Sequence, residues 1–131
     1  MSQENVEIVK RLLDAFNVRD FDLAAELMTL DFEFISPMFD SEGKSYRGPE
    51  NAAHHRDFLG TWKVYRLVAD EVRDLGDRVL ALGRVQGRGR GSGVPVDTPW
   101  GAIYDFREGK VSRARPFFDH TEALRAAGLS E

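Results

Sequence analysis

Apolar residues near the N-terminus recur at helical spacing. Val6, Val9, Leu13 and Phe16 fall on one stripe with Ile8 and Leu12 beside it, which predicts a first helix from about Gln3 to Phe16. Asn17-Val-Arg-Asp20 breaks the stripe. Asp20 is placed to cap a second short helix that carries Asp22 in its first turn and turns Leu23, Leu27 and Met28 inward. At Asp31 the pattern changes to alternation: Phe32, Phe34 and Ser36 take one face, Glu33 and Ile35 the other, and Pro37 stops the strand. A polar loop runs from Met38 to Arg47, and Gly48-Pro49-Glu50 then opens a third helix with proline at its first position. Ala52, His55, Phe58 or Leu59, and Trp62 share one side of that helix, so His55 is expected to face inward, with His54 near the edge.

The second half reads as strand. Val64 to Val72, Arg78 to Arg90 and Val94 to Arg107 are extended runs separated by turns at Leu75-Gly-Asp77 and Gly91-Ser-Gly93. A turn at Glu108-Gly109 leads to a last strand ending in Phe117-Phe118, and Asp119 followed by Glu122 has capping-box spacing for a helix from Thr121 to Ala127. On the run ending at Arg107, Trp100, Ala102, Tyr104 and Phe106 share the face expected to be buried, opposite Gly101, Ile103 and Asp105. Arg84, Gln86, Arg88 and Arg90 alternate with Gly83, Gly87 and Gly89, a polar ladder expected to pair with carboxylates such as Asp70 or Asp97. Helix, helix, strand, helix and four further strands make an α+β class, with helices covering one side of a bent sheet.

Composition narrows the function classes. A chain of 131 residues, 42% hydrophobic and 31% charged, fits one globular domain over residues 1–131. A net charge of -4 argues against general nucleic-acid binding. No window has the apolar length of a membrane span, and MSQENVEIVK lacks the basic start and apolar run of a signal peptide, so a cytoplasmic location is expected. With no cysteine there are no disulfides, thiol nucleophiles or thiolate zinc sites. His54, His55 and His120 lack metal-ligand spacing. The Gly87-Arg-Gly-Arg-Gly-Ser-Gly93 run lies between two strands and opens no helix, which excludes a phosphate loop.

Several stretches together resemble one family: Ile8-Val-Lys-Arg-Leu-Leu-Asp-Ala-Phe-Asn17 followed by Asp20-Phe-Asp22, then Tyr46-Arg-Gly48, Arg107-Glu-Gly-Lys-Val111 and Phe117-Phe-Asp119. In order and spacing the chain resembles the SnoaL-like branch of the nuclear transport factor 2-like, or ketosteroid isomerase-like, superfamily of cone-shaped α+β domains. The resemblance implies a deep pocket between sheet and helices and dimerisation through the sheet. It implies no single reaction, because this scaffold carries isomerases, cyclases, dehydratases, epoxide hydrolases and non-enzymes.

Carried over residue by residue, the resemblance argues against ketosteroid isomerase chemistry. The position of that branch's base, before the proline of the first strand, holds Ser36, and the positions of its two oxyanion donors hold Leu12 and Tyr104. Only Tyr104 keeps a donor. In SnoaL-like cyclases a carboxylate at the end of the last strand acts as acid and base, and Asp119 matches it, although Ala114 and Arg115 replace the aromatic and histidine residues that precede it. No Arg-Asp-Asp arrangement of the epoxide hydrolases is present.

The expected catalytic set is therefore Asp119 with Tyr104 or His55, and the expected lining is Phe34, Ser36, Phe58, Trp62, Trp100 and Phe118. The expected ligand is a small apolar organic molecule, and such chemistry needs no cofactor or metal. Each residue also has a plain structural role: Asp119 as a helix cap, His55 as a hydrogen-bonded core histidine, the aromatics as packing. A non-catalytic ligand-binding or structural dimer is the alternative. A homodimer is expected on either reading, because Ile103, Val85 and Ala81 are placed together on the face opposite the pocket, too apolar to leave in water.

Overall fold

The stripe of Val6, Val9, Leu12 and Leu13 winds into α1 (Ser2–Asn17) and is wholly buried there, with Val9 and Leu12 losing all solvent contact. The computed structural model describes residues 2–35, 46–47 and 56–129. Helix α1 ends where Asn17 turns its side chain to the sheet. Its amide nitrogen donates to the Leu67 carbonyl and its Oδ1 accepts from the Leu67 N–H, each at 2.9 Å, so one side chain satisfies both backbone groups of a strand residue. Arg19 then takes a left-handed conformation at φ 60, and Asp20 caps α2 (Phe21–Glu26) by accepting from the Leu23 N–H at 3.1 Å, as the sequence predicts.

Six strands follow: β1 (Met28–Phe34), β2 (Tyr46–Arg47), β3 (Trp62–Asp74), β4 (Arg78–Gly89), β5 (Pro95–Arg107) and β6 (Lys110–Phe117). They form one sheet in the order β2-β1-β6-β5-β4-β3, antiparallel except for the β1–β6 pair. Residues 56–60 are helical and are labelled α3, and α4 (His120–Ala126) closes the described order of elements. Phe32 and Phe34 turn toward α1 as the alternation predicts, but β1 begins at Met28, before the expected Asp31.

Trp62 departs from its expected place. It is the first residue of β3, not the last inward residue of a helix. The helix stops because the Thr61 N–H and hydroxyl both turn back onto the Phe58 carbonyl, at 3.1 and 2.7 Å, while the Arg90 N–H takes the Thr61 carbonyl into the sheet. Pairing with β4 thus outcompetes continued helical periodicity.

Two apolar layers flank the sheet. On the inner face, Trp100, Ala102 and Tyr104 of β5 join Val79, Ala81 and Val85 of β4, Phe32, Val111 and Ala114, and the buried stripe of α1. On the outer face, Leu80, Leu82, Ile103 and Phe117 lie beneath Ala123, Leu124 and Ala127 of the α4 region. This corrects the expected grouping of Ile103 with Ala81 and Val85. In an antiparallel ladder directly paired residues share a face; Leu80 pairs with Ile103 and Ala81 with Ala102, so a one-residue slip in parity had exchanged the faces. The apolar patch around Ile103 is covered by this chain's own helix. Gly101 permits the close approach, since a Cβ there would stand 3.2 Å from the Ala123 Cβ.

Beyond α4 the outer face is polar. Arg84 bonds Asp97 at 2.5 Å, one of the two partners expected for it. Among the described residues no helix is long and apolar enough to cross a membrane.

Candidate functional site

The ladder sorts the candidate residues along the inner face. At one end Phe34 pairs with Ala114, Ala114 with Tyr104, and Tyr104 with Val79. Four residues along β4, roughly 13 Å at the rise of a strand, Gly83 pairs with Trp100. Four further on, Gly87 pairs with Tyr65, and Trp62 pairs with Gly89. Of the expected lining residues, Phe34, Trp100 and Trp62 therefore fall at a closed end, the middle and an open end of this ladder.

Tyr104 marks the closed end. Only 4% of its surface is accessible, and its neighbours along and across the strands include the small residues Ala102, Ala81 and Ala114. Burial pushes the pKa of its hydroxyl upward. A neutral phenol held in an apolar layer keeps both a donor and an acceptor for whatever reaches it. Trp100, in the middle, is equally enclosed at 4% and packs into the same layer. Phe34 packs against that layer while remaining half-buried.

At the open end the rings are half-buried and gather on one another. Phe58 meets Tyr65 edge-on at 5.1 Å between centroids, Trp62 stands 5.2 Å from Tyr65, and Phe58 lies 6.2 Å from Trp62. Gly87 lets the indole settle onto β4, since a Cβ at that position would stand 3.0 Å from Trp62 ring carbon Cζ3. Burial raises the Tyr65 hydroxyl to about 12. Tyr65 was not among the expected site residues. Its signal was the two-residue period of β3, which puts Tyr65, Leu67 and Ala69 on the inner face.

Asp119 is an exposed cap. Its Oδ1 accepts from the N–H of Thr121 at 2.7 Å and of Glu122 at 3.3 Å, starting the helix that covers the outer layer, across the sheet from the Tyr104 ring. Phe118 beside it keeps 36% of its surface exposed. His120, which follows Asp119, has no metal-ligand spacing to His54 or His55 in the sequence. Its Nε2 lies 2.8 Å from the Gly83 carbonyl and 3.1 Å from the Trp100 carbonyl, fixing α4 to the middle of the sheet. Ser36 and His55 lie outside the described residues. Among the described residues no group of three or more His, Asp or Glu side chains could hold a metal ion.

Comparison with known proteins bears on this geometry. Residues 9–114 match the model of the SnoaL-like domain. No curated protein matches the chain. A candidate SnoaL-like polyketide cyclase from Jannaschia sp. CCS1 is 25% identical, with a TM-score of 0.79 over 98% of this chain and 94% of that one. TerC, co-crystallised with polyporic acid, is 22% identical, with a TM-score of 0.73 over 95% and 98%. A protein from Catenulispora acidiphila DSM 44928 with a ketosteroid isomerase-like fold, solved with trimethylamine, is 15% identical, with a TM-score of 0.75 over 94% and 93%. The sheet curving around α1 and the matched residues 9–114 lead to one assignment: the chain belongs to the SnoaL-like domain family, with the nuclear transport factor 2-like fold.

Proposed function

We propose that this chain binds a small, mostly apolar organic molecule on the inner face of its sheet, with the Tyr104 hydroxyl as its hydrogen-bonding group. One observation carries the reading: a buried phenol hydroxyl sits in an apolar layer lined by alanines. A neutral hydrogen bond from a ligand to this hydroxyl would contribute about 0.5–1.5 kcal/mol and fix the ligand's orientation. TerC and the Catenulispora protein, similar to this chain in fold, were crystallised with small organic molecules.

Binding without catalysis by Asp119 is the favoured form of this reading. An acid/base role would require the carboxylate to exchange protons while it accepts from two backbone N–H groups, whereas capping fully accounts for its position. In the catalytic alternative, Tyr104 or His55 would assist Asp119 on a substrate of the cyclase or isomerase type. A homodimer remains part of the proposal. Its surface would be the outer face beyond α4, where Val64 is 49% exposed and Arg66, Arg84 and Arg88 stand on the same side of the ladder. A cytoplasmic location belongs to the same proposal.

The test is a calorimetric titration with 2-naphthol and naphthalene. Wild-type protein should bind 2-naphthol about fivefold more tightly, the worth of one neutral hydrogen bond, and Tyr104→Phe should abolish the difference while still binding naphthalene. Failure of both probes to bind at millimolar concentration, or a preference for 2-naphthol that survives Tyr104→Phe, would overturn the proposal.

A further inference from the structure

At the open end of the inner face, two arginines from distant parts of the chain converge on one backbone oxygen. Arg19, between α1 and α2, donates from Nη2 to the Trp62 carbonyl at 3.2 Å. Arg90, just past β4, donates from Nη2 to the same oxygen at 3.4 Å and from Nε to the Gly60 carbonyl at 3.1 Å. Neither has a carboxylate partner among the described residues, unlike Arg84, Arg107 and Arg113. Each guanidinium carries five N–H donors, more than its bonds to described residues use.

This arrangement is costly for a merely structural joint. Two like charges drawn to a single neutral oxygen repel, and half-buried Arg19 is shielded from solvent more than an ordinary surface residue. Arg19 also holds a left-handed backbone at φ 60, a conformation that disfavours any residue with a Cβ. A carboxylate lying across both guanidinium groups would relieve the repulsion and accept charge-assisted bonds from each. Next to that point, on the residue whose carbonyl the arginines share, stands the Trp62 ring of the half-buried aromatic cluster.

We infer that the open end is a second binding site, for an aromatic carboxylate whose ring packs on Trp62 and Phe58 and whose anionic group is held by Arg19 and Arg90. Its basis is independent of Tyr104, which lies at the other end of the inner face. The two sites can therefore be separated by variants.

The experiment is a calorimetric titration with 2-naphthoate at low and high salt, against wild type, Arg19→Gln, Arg90→Gln and Tyr104→Phe. Exposed Arg90 provides a variant that should fold if Arg19→Gln does not, and thermal unfolding of each protein checks this. Loss of either arginine should weaken 2-naphthoate about tenfold or more, salt should weaken it in wild type, and Tyr104→Phe should leave it unchanged. Equal affinity in wild type and Arg90→Gln, no binding at millimolar concentration, or loss of binding only in Tyr104→Phe would overturn the inference.

Discussion

Tyr104 and Tyr65 stand on the same face of the same sheet and meet different surroundings. Tyr104 is shut behind α1 among alanines and valines, while Tyr65 belongs to a half-exposed cluster beside strand glycines. The long strands β3, β4 and β5 explain the difference. They run on past Gly101, where β6 ends its pairing, so among the described residues one end is layered on both sides and the other is finished by rings and arginines. A single curved sheet can thus supply an enclosed polar atom at one end and an aromatic wall at the other, which a single compact pocket would not require.

The largest expected effect separates the two tryptophans. Trp100→Ala should destabilise by about 3–5 kcal/mol, because the indole is almost fully enclosed. Trp62→Ala should cost about 1–2 kcal/mol, as for a half-buried side chain with solvent on one side. Denaturant unfolding of both variants checks this; equal losses would erase the distinction between closed and open ends.

Alkaline pH separates the tyrosines next. Burial favours the neutral phenol, so the folded pKa lies above the unfolded value of about 10, to about 12 for Tyr65 and higher still for Tyr104. The associated stability is fully present below pH 10 and declines as pH rises from there toward 12. Absorbance at 295 nm should show Tyr65 ionising before Tyr104, and Tyr104 only with unfolding. Ionisation of Tyr104 in folded protein near pH 10 would contradict its enclosure.

The smallest effect belongs to Asp119. Asp119→Ala should lose about 1 kcal/mol and Asp119→Asn almost nothing, since asparagine caps a helix as well as aspartate does. Thermal melts of the two variants measure it, and a large loss in Asp119→Asn would mean that the charge has a role beyond the cap.

Much of this was legible in the sequence because it is local. The α1 stripe, the Asp20 and Asp119 caps, and the burial of Trp100, Ala102 and Tyr104 each follow from residues within a few positions of one another. The face of Ala81 and Val85 was not, because parity depends on which residue of β5 each one pairs with. Nor was the strand position of Trp62, where a helix-compatible spacing yields to pairing with Gly89. The convergence of Arg19 and Arg90 joins residues far apart in sequence and leaves no periodic trace.

The most direct measurement is an NMR titration of protein labelled with 13C at tyrosine Cζ, whose three tyrosines are assigned through Tyr→Phe variants. Saturating 2-naphthol should shift the Tyr104 signal, as expected for a phenol gaining a hydrogen-bond partner, and leave Tyr65 in place. Bound 2-naphthol with an unmoved Tyr104 signal, or a shift confined to Tyr65, would contradict the placement of the ligand at the enclosed end of the inner face.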